Sequence, residues 1–179
     1  MKLFTTLRST AIAAALLASG LAGAQGNAPI KVGFMLPATG TYANLGTMIE
    51  NGFKLQVAEN GGKLGGREVQ YFKVDDESDP AKASDNVNKL IQRDKVDVLV
   101  GTVHSGVAST MAKAARENNT ILIVPNAGAD AITGPMCAAN IFRTSFSNWQ
   151  PAFAMGKVAA ERGHKKVMTI TWNYAAGNE

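Results

Sequence analysis

The sequence predicts an α/β fold, a parallel sheet with helices on both of its faces. Short β-branched runs that are apolar on both sides alternate with stretches of helical periodicity, and short connections join them. One such run, Val96 to Val100, stops at Gly101 and after a brief turn feeds a helical pattern that opens at Ser105. Ser105 stands at the expected N-cap, so free backbone N–H groups, the positive end of a helix dipole and a hydroxyl gather at one edge of the sheet. A carboxylate is favoured at such an edge.

Taken in order, residues 1–24 read as a secretory signal peptide. Lys2 and Arg8 supply the positive start, Thr10 to Leu17 a short apolar core, and Ala22-Gly23-Ala24 an A-x-A cleavage site before Gln25. A membrane anchor needs about 20 apolar residues, and this core is shorter and followed by small residues. The expected destination is the periplasm, with the cut between Ala24 and Gln25. Beyond it the composition is that of an ordinary soluble domain, 46% hydrophobic and 18% charged. Removal of Lys2 and Arg8 lowers the formal charge of +4 by two. That balance is too small to argue for nucleic acid, and no basic stripe with interleaved aromatics appears.

Ile30 to Leu36 is the first expected strand, turned by Pro37-Ala38-Thr39-Gly40. A helix follows from Ala43 to about Glu59, with Leu45, Met48, Ile49 and Leu55 recurring at helical spacing and Asn60-Gly61-Gly62 ending it. Gly65-Gly66 turns into a second strand, Glu68 to Val74. The polar loop Asp75 to Pro80 starts an amphipathic helix to Arg93, with Ala83, Val87, Leu90 and Ile91 on its inner stripe. The strand Val96 to Val100 leads into a helix from Ser105 to about Asn118, with Val107, Ala108, Met111, Ala114 and Ala115 inward. Thr120 to Val124 is the fourth strand and Ile141 to Thr144 a short extended piece. A helix from about Trp149 to Arg162 and a strand Lys166 to Thr171 follow, and the loop Trp172 to Glu179 comes last. Right-handed crossovers turn this order into a Rossmann-like parallel sheet whose ligands bind at the carboxyl ends of the strands. The loops there are Pro37 to Gly46, Asp75 to Pro80, Gly101 to Ser105 and Pro125 to Asp130. The final strand lacks a covering helix, so the chain is expected to be a fragment.

Five motifs stand in order along the chain: G-T-Y-A-N-L-G (40 to 46), G-G-K-L-G-G-R-E-V (61 to 69), D-D-E-S-D-P (75 to 80), V-G-T-V-H-S (100 to 105) and I-F-R-T-S (141 to 145). Together they resemble the type I periplasmic solute-binding proteins of ABC transporters, the branched-chain amino acid (Leu/Ile/Val) binding family. The resemblance implies two α/β lobes that close on a small ligand and dock on a membrane permease, and a monomer without cofactor, metal or enzymatic chemistry. It divides the chain into the signal peptide at 1–24, an N-terminal ligand-binding lobe at 25–144, and the hinge with the start of a second, incomplete lobe at 145–179.

Carried over residue by residue, the resemblance makes Ser105 the group that holds a ligand carboxylate and Asn126 a backbone contact, with Ala127 beside it. Gly128 falls where amino-acid binders often offer a Thr hydroxyl, and Leu45 where they often place an aromatic ring. Both departures widen the expected ligands from a branched-chain amino acid to aromatic or other organic acids. Tyr174 lies in the loop from which relatives supply an aromatic, with Trp172 as its competitor. Ser78 and His104 occupy positions where many relatives carry a disulfide, and Cys137, the only cysteine, is either free or paired outside this chain.

Each site residue has a plainer reading. Ser105 serves as a bare N-cap without any ligand. His104 reads as a cleft-lining or structural side chain or as a base, though no nucleophile is placed beside it. Asp75, Asp76 and Asp79 read as a helix-capping loop or as metal ligands, and Tyr42 as a cleft wall or a surface aromatic. A nucleotide-dependent enzyme is the rival from another class, but Gly33, Gly40 and Gly46 do not make a G-x-G-x-x-G fingerprint. A sensor domain of a receptor or regulator is the third reading.

Overall fold

The computed structural model describes residues 28–179; the expected signal peptide and its cleavage site lie outside the described residues. The strand Ile30–Leu36, β1, has apolar partners on both faces of the sheet. Val32, Phe34 and Leu36 pack with Ile49, Phe53 and Tyr71 on one side, while Met35 enters a larger cluster with Val87, Leu90, Leu99, Val107 and Met111 on the other. The Phe34 and Tyr71 rings stack with centroids 5.5 Å apart, and Phe53 meets Phe34 edge-on at 5.3 Å.

Strands β3 (Arg67–Asp75) and β4 (Val98–Val100) flank β1 in parallel. Beyond β4 come β5 (Ile121–Val124) and β6 (Ile141–Arg143), also parallel. An additional short strand, β2 (Lys63–Leu64), folds back antiparallel onto β3 across Gly65-Gly66. Both glycines have positive φ, 54° and 79°, as a two-residue turn of this hand requires. The sheet order is β2-β3-β1-β4-β5-β6.

Three helices connect these strands, α1 (Ala43–Glu59) after β1, α2 (Pro80–Asn88) after β3 and α3 (Ser105–Glu117) after β4, and a fourth, α4 (Trp149–Glu161), follows β6. The expected helix to Arg93 exists over its full length, since α2 continues through a π-helical stretch, Lys89–Arg93. Asp79 caps α2 by accepting from the Ala81 N–H at 2.9 Å. Among the described residues no helix is long and apolar enough to cross a membrane. The chain winds from β1 to β3 on one side and then crosses to β4 on the other. The loops after β1 and β4 therefore leave on opposite faces and open a crevice at the carboxyl edge.

Two expectations need correction. Of the apolar residues noted on α1, Ile49 packs on the core, but Leu45, Met48 and Leu55 are 39%, 67% and 61% exposed. The inward stripe is Gly46, Ile49, Phe53 and Val57. A Cβ at position 46 would fall on the Pro37 carbonyl, so the helix seats itself there and turns its neighbours outward. The strand expected at Lys166 to Thr171 does not form. No strand lies beside it among the described residues, and Val167, Met168 and Ile170 remain 66%, 87% and 91% exposed.

Candidate functional site

The crevice is built where β4 ends. A Cβ on Gly101 would collide with the Met35 carbonyl of β1, so only glycine lets the two strand ends lie this close. Thr102 follows, fully buried, and donates its hydroxyl to the Asp76 carboxylate. Its carbonyl accepts from the Ala127 N–H at 3.0 Å, which ties the loop after β5 to the loop after β4. Asp76 is also buried and accepts from the Ser78 N–H at 2.8 Å. Burial raises its pKa against those two hydrogen bonds.

The neighbouring acids are likewise committed within the loops. Asp75 accepts from the Ala38 N–H at 2.8 Å and the Thr39 hydroxyl at 2.7 Å, pinning the loop after β1. Asp79 is the cap of α2. The three carboxylates thus diverge onto separate N–H and O–H donors, and among the described residues no group of three metal-binding side chains converges. Ser78, one of the positions read as lacking a disulfide, accepts from the Tyr42 N–H at 3.4 Å.

The cap of α3 is His104 rather than Ser105. His104 is extended at φ −77° and ψ 121°, and its Nδ1 accepts from the Gly106 N–H at 3.1 Å. This is the usual spacing of a cap and the second helical N–H, the one Asp79 uses in α2, and it makes Ser105 the first residue of the helix. Ser105 is 2% exposed, and its Oγ accepts from the Asn148 Nδ2 at 3.4 Å. The capping bond requires a lone pair on Nδ1. Burial holds the His104 pKa below its ordinary value, against the attraction of Asp76 and Asp79.

Two aromatics flank this histidine. Tyr42 lies 6.3 Å and Tyr174 5.0 Å from it between ring centroids. Burial and a hydrogen bond with Tyr42 raise the Tyr174 phenol. Trp172 is 64% exposed and 6.5 Å from Tyr174, so of the two candidates in that loop Tyr174 is the one against His104.

The loop after β5 forms the other wall, with Ala127 and Gly128 buried and Asn126 half-buried. The Arg143 Nη1 donates to the Ala129 carbonyl at 2.7 Å and the Gly128 carbonyl at 3.4 Å. The Ser147 hydroxyl donates to the Asp130 carboxylate. The Asn148 N–H donates to the Gly128 carbonyl at 2.9 Å, and its Oδ1 lies where a Cβ on Gly128 would go.

His104, Ser105, Tyr42 and Tyr174 are therefore brought together, and Gly128 joins Ser105 through Asn148. Leu45 lies in the first turn of α1 and is 39% exposed. Arg143, Ser147 and Asn148 were not legible as site residues. Arg143 stood only within the motif I-F-R-T-S, and no pattern marked Asn148.

The periplasmic binding protein family profile matches residues 29–179. The chain belongs to that family. A Leu/Ile/Val-binding protein homolog 6 of Brucella abortus is 29% identical over 149 residues, covering 83% of this chain and 38% of its own length. The solute-binding protein of an ABC transporter from R. palustris, solved in complex with benzoate, aligns at 56% identity and TM-score 0.81 over 84% of this chain and 42% of that one. Another from Rhodopseudomonas palustris BisB5, in complex with 3,4-dihydroxybenzoic acid, aligns at 35% identity and TM-score 0.77 over 84% and 41%. This periplasmic binding protein chain thus spans about two fifths of the length of the relatives it matches.

Proposed function

We propose that the chain is the first lobe, with the start of the second, of the extracytoplasmic substrate-binding component of an ABC importer. It captures a small organic carboxylate between two lobes and delivers it to the permease, and it performs no chemistry on its cargo. Residues 25–144 form the first lobe on this reading, and the hinge is crossed near Arg143 to Ser147. Export by the signal peptide places the protein in the periplasm, where it acts as a monomer.

The observation that carries the reading is the buried Ser105 hydroxyl at the start of α3, in the crevice beside β1. A hydroxyl and the helix N-terminal N–H groups that the cap leaves unpaired suit an anion. Asn126, Ala127 and Gly128 line the wall opposite, and Tyr42, His104 and Tyr174 offer ring surface for a flat apolar body. Closure of the second lobe shifts the open–closed equilibrium in proportion to its preference for the loaded form. The bare Gly128 and the benzoate and dihydroxybenzoate complexes of the relatives favour an aromatic carboxylate over an amino acid.

Calorimetric titration of the native full-length protein tests this with benzoate and L-leucine. Benzoate is expected to bind at least about tenfold more tightly, which is about 1.4 kcal/mol. Binding of neither compound would sink the proposal; preferential binding of leucine would retain capture and reject the aromatic cargo.

A further inference from the structure

We infer that Asn148 is a carboxylate-binding and specificity-determining residue, supplying from the chain beyond β6 the polar group that Gly128 lacks. This rests on the reading of the crevice as a carboxylate site and adds a residue, and a reason for selectivity, that the reading does not contain.

Ser147 stands at the cap of α4, its N–H donating to the Gln150 Oε1 at 2.9 Å, and Asn148 follows it with helical angles, φ −60° and ψ −34°. Asn148 makes no side-chain cap bond. Its backbone N–H is fixed on the Gly128 carbonyl at 2.9 Å, and its Oδ1 fills the space beside the Gly128 Cα. With the oxygen directed there, the amide nitrogen faces the crevice. Its Nδ2 donates to the Ser105 Oγ at 3.4 Å and to the Glu179 Oε2 at 2.8 Å.

The Glu179 partner supplies the second, independent observation. Its carboxylate also accepts from the Asp130 N–H, at 3.2 Å through Oε1 and 3.1 Å through Oε2. A carboxylate of the chain itself is thus held by two neutral N–H donors beside the buried Ser105 and the start of α3. A ligand carboxylate placed on the same donors would keep both hydrogen bonds and displace Glu179. The Asp130 carboxylate is a like charge nearby, and the Ser147 hydroxyl hydrogen-bonds it.

Selectivity follows from the same geometry. A threonine at position 128 would offer a hydroxyl able to accept from an ammonium, but its Cβ would fall on the Asn148 Oδ1. The amide nitrogen that faces the crevice donates only. A carboxylate without a neighbouring amine is therefore preferred at this corner.

The test is calorimetry on the native full-length protein and its variants, with benzoate and L-leucine as probes and circular dichroism to confirm folding. Asn148→Ala is expected to weaken benzoate about 10- to 100-fold, the range of one hydrogen bond to a charged group. Asn148→Asp keeps the shape, exchanges a donor for a negative charge, and is expected to weaken benzoate further still. Glu179→Gln removes the resident carboxylate and is expected to tighten benzoate. If folded Asn148→Ala and Asn148→Asp proteins bind benzoate like the wild type, the assignment is overturned while capture of carboxylates stands. Weaker benzoate binding by Glu179→Gln would also overturn it, because Glu179 would then hold ligand rather than compete with it. Failure of the wild type to bind either probe removes both readings together.

Discussion

His104 governs how α3 begins, because the nitrogen that caps the helix is the one that a proton would occupy. The groups facing it are Asp76 and Asp79, which favour its charged form, and the rings of Tyr42 and Tyr174, which bury it. Burial prevails and its pKa is lowered in the folded protein. Between that lowered value and the ordinary value of 6.5 the unfolded chain binds the extra proton, so stability is present above 6.5 and is lost as pH falls through this window. Asp76 contributes the opposite slope above its ordinary value of 3.8, since burial raises it and folding there favours the protonated acid. His104→Asn separates the two, because asparagine caps without titrating. Urea midpoints at pH 7.5 and 5.5 are expected to drop more for the wild type than for His104→Asn; equal changes would show that the cap does not titrate. His104→Ala is expected to cost about 1 kcal/mol at pH 7.5, as a lost cap does, and less at pH 5.5, where the wild type has itself lost part of that contribution.

At the scale of elements, the inner face of α3 was legible because it is local. Val107, Ala108, Met111, Ala114 and Ala115 recur at helical spacing and all are buried. The face of α1 was not, because Gly46 carries no side chain to mark it and its partner is a carbonyl of the preceding loop. The same limit hid Asn148, whose side chain is drawn from its own helix by Gly128, Ser105 and Glu179, all distant in sequence. The shift of the α3 cap by one residue came from an imidazole nitrogen taking the acceptor role, and histidine is not among the residues that mark a cap in a sequence. Gly46→Ala tests the α1 contact. Alanine raises helix propensity by about 1 kcal/mol, yet the added methyl would lie on the rigid Pro37 carbonyl. Overpacking of this kind costs about 1–3 kcal/mol. Gly52 in the same helix has nothing within 4 Å of an added Cβ, so Gly52→Ala is expected to stabilise by about 0.5–1 kcal/mol. Chemical denaturation of both variants should therefore move in opposite directions; a stabilising Gly46→Ala would refute the proposed seating of α1.

At the scale of the whole molecule, the two parts of the chain differ in what covers them. Strands β1, β4 and β5 lie inside a sheet with helices packed on its faces, and Leu99 and Leu122 are fully buried. Helix α4 has no buried residue, and Trp149, Phe153 and Met155 are 48%, 66% and 65% exposed. Ala152, Met155, Gly156 and Ala159 line an open apolar hollow with Val167 and Met168. A helix with an apolar side and an extended segment with unpaired backbone groups are the parts of a layer, and a layer is stable when another covers it. On the two-lobe proposal the remainder of the native protein supplies that cover. Hydrogen exchange should therefore separate the two parts in a polypeptide limited to residues 25–179, with slow amides in β1, β4 and β5 and fast ones in 149–161 and 166–171. In the native full-length protein the second set should become slow while the first changes little. Protection of 166–171 that is already high in the short chain would mean that the segment finds its partners within the first lobe, and the division of the chain near residue 145 would have to be redrawn.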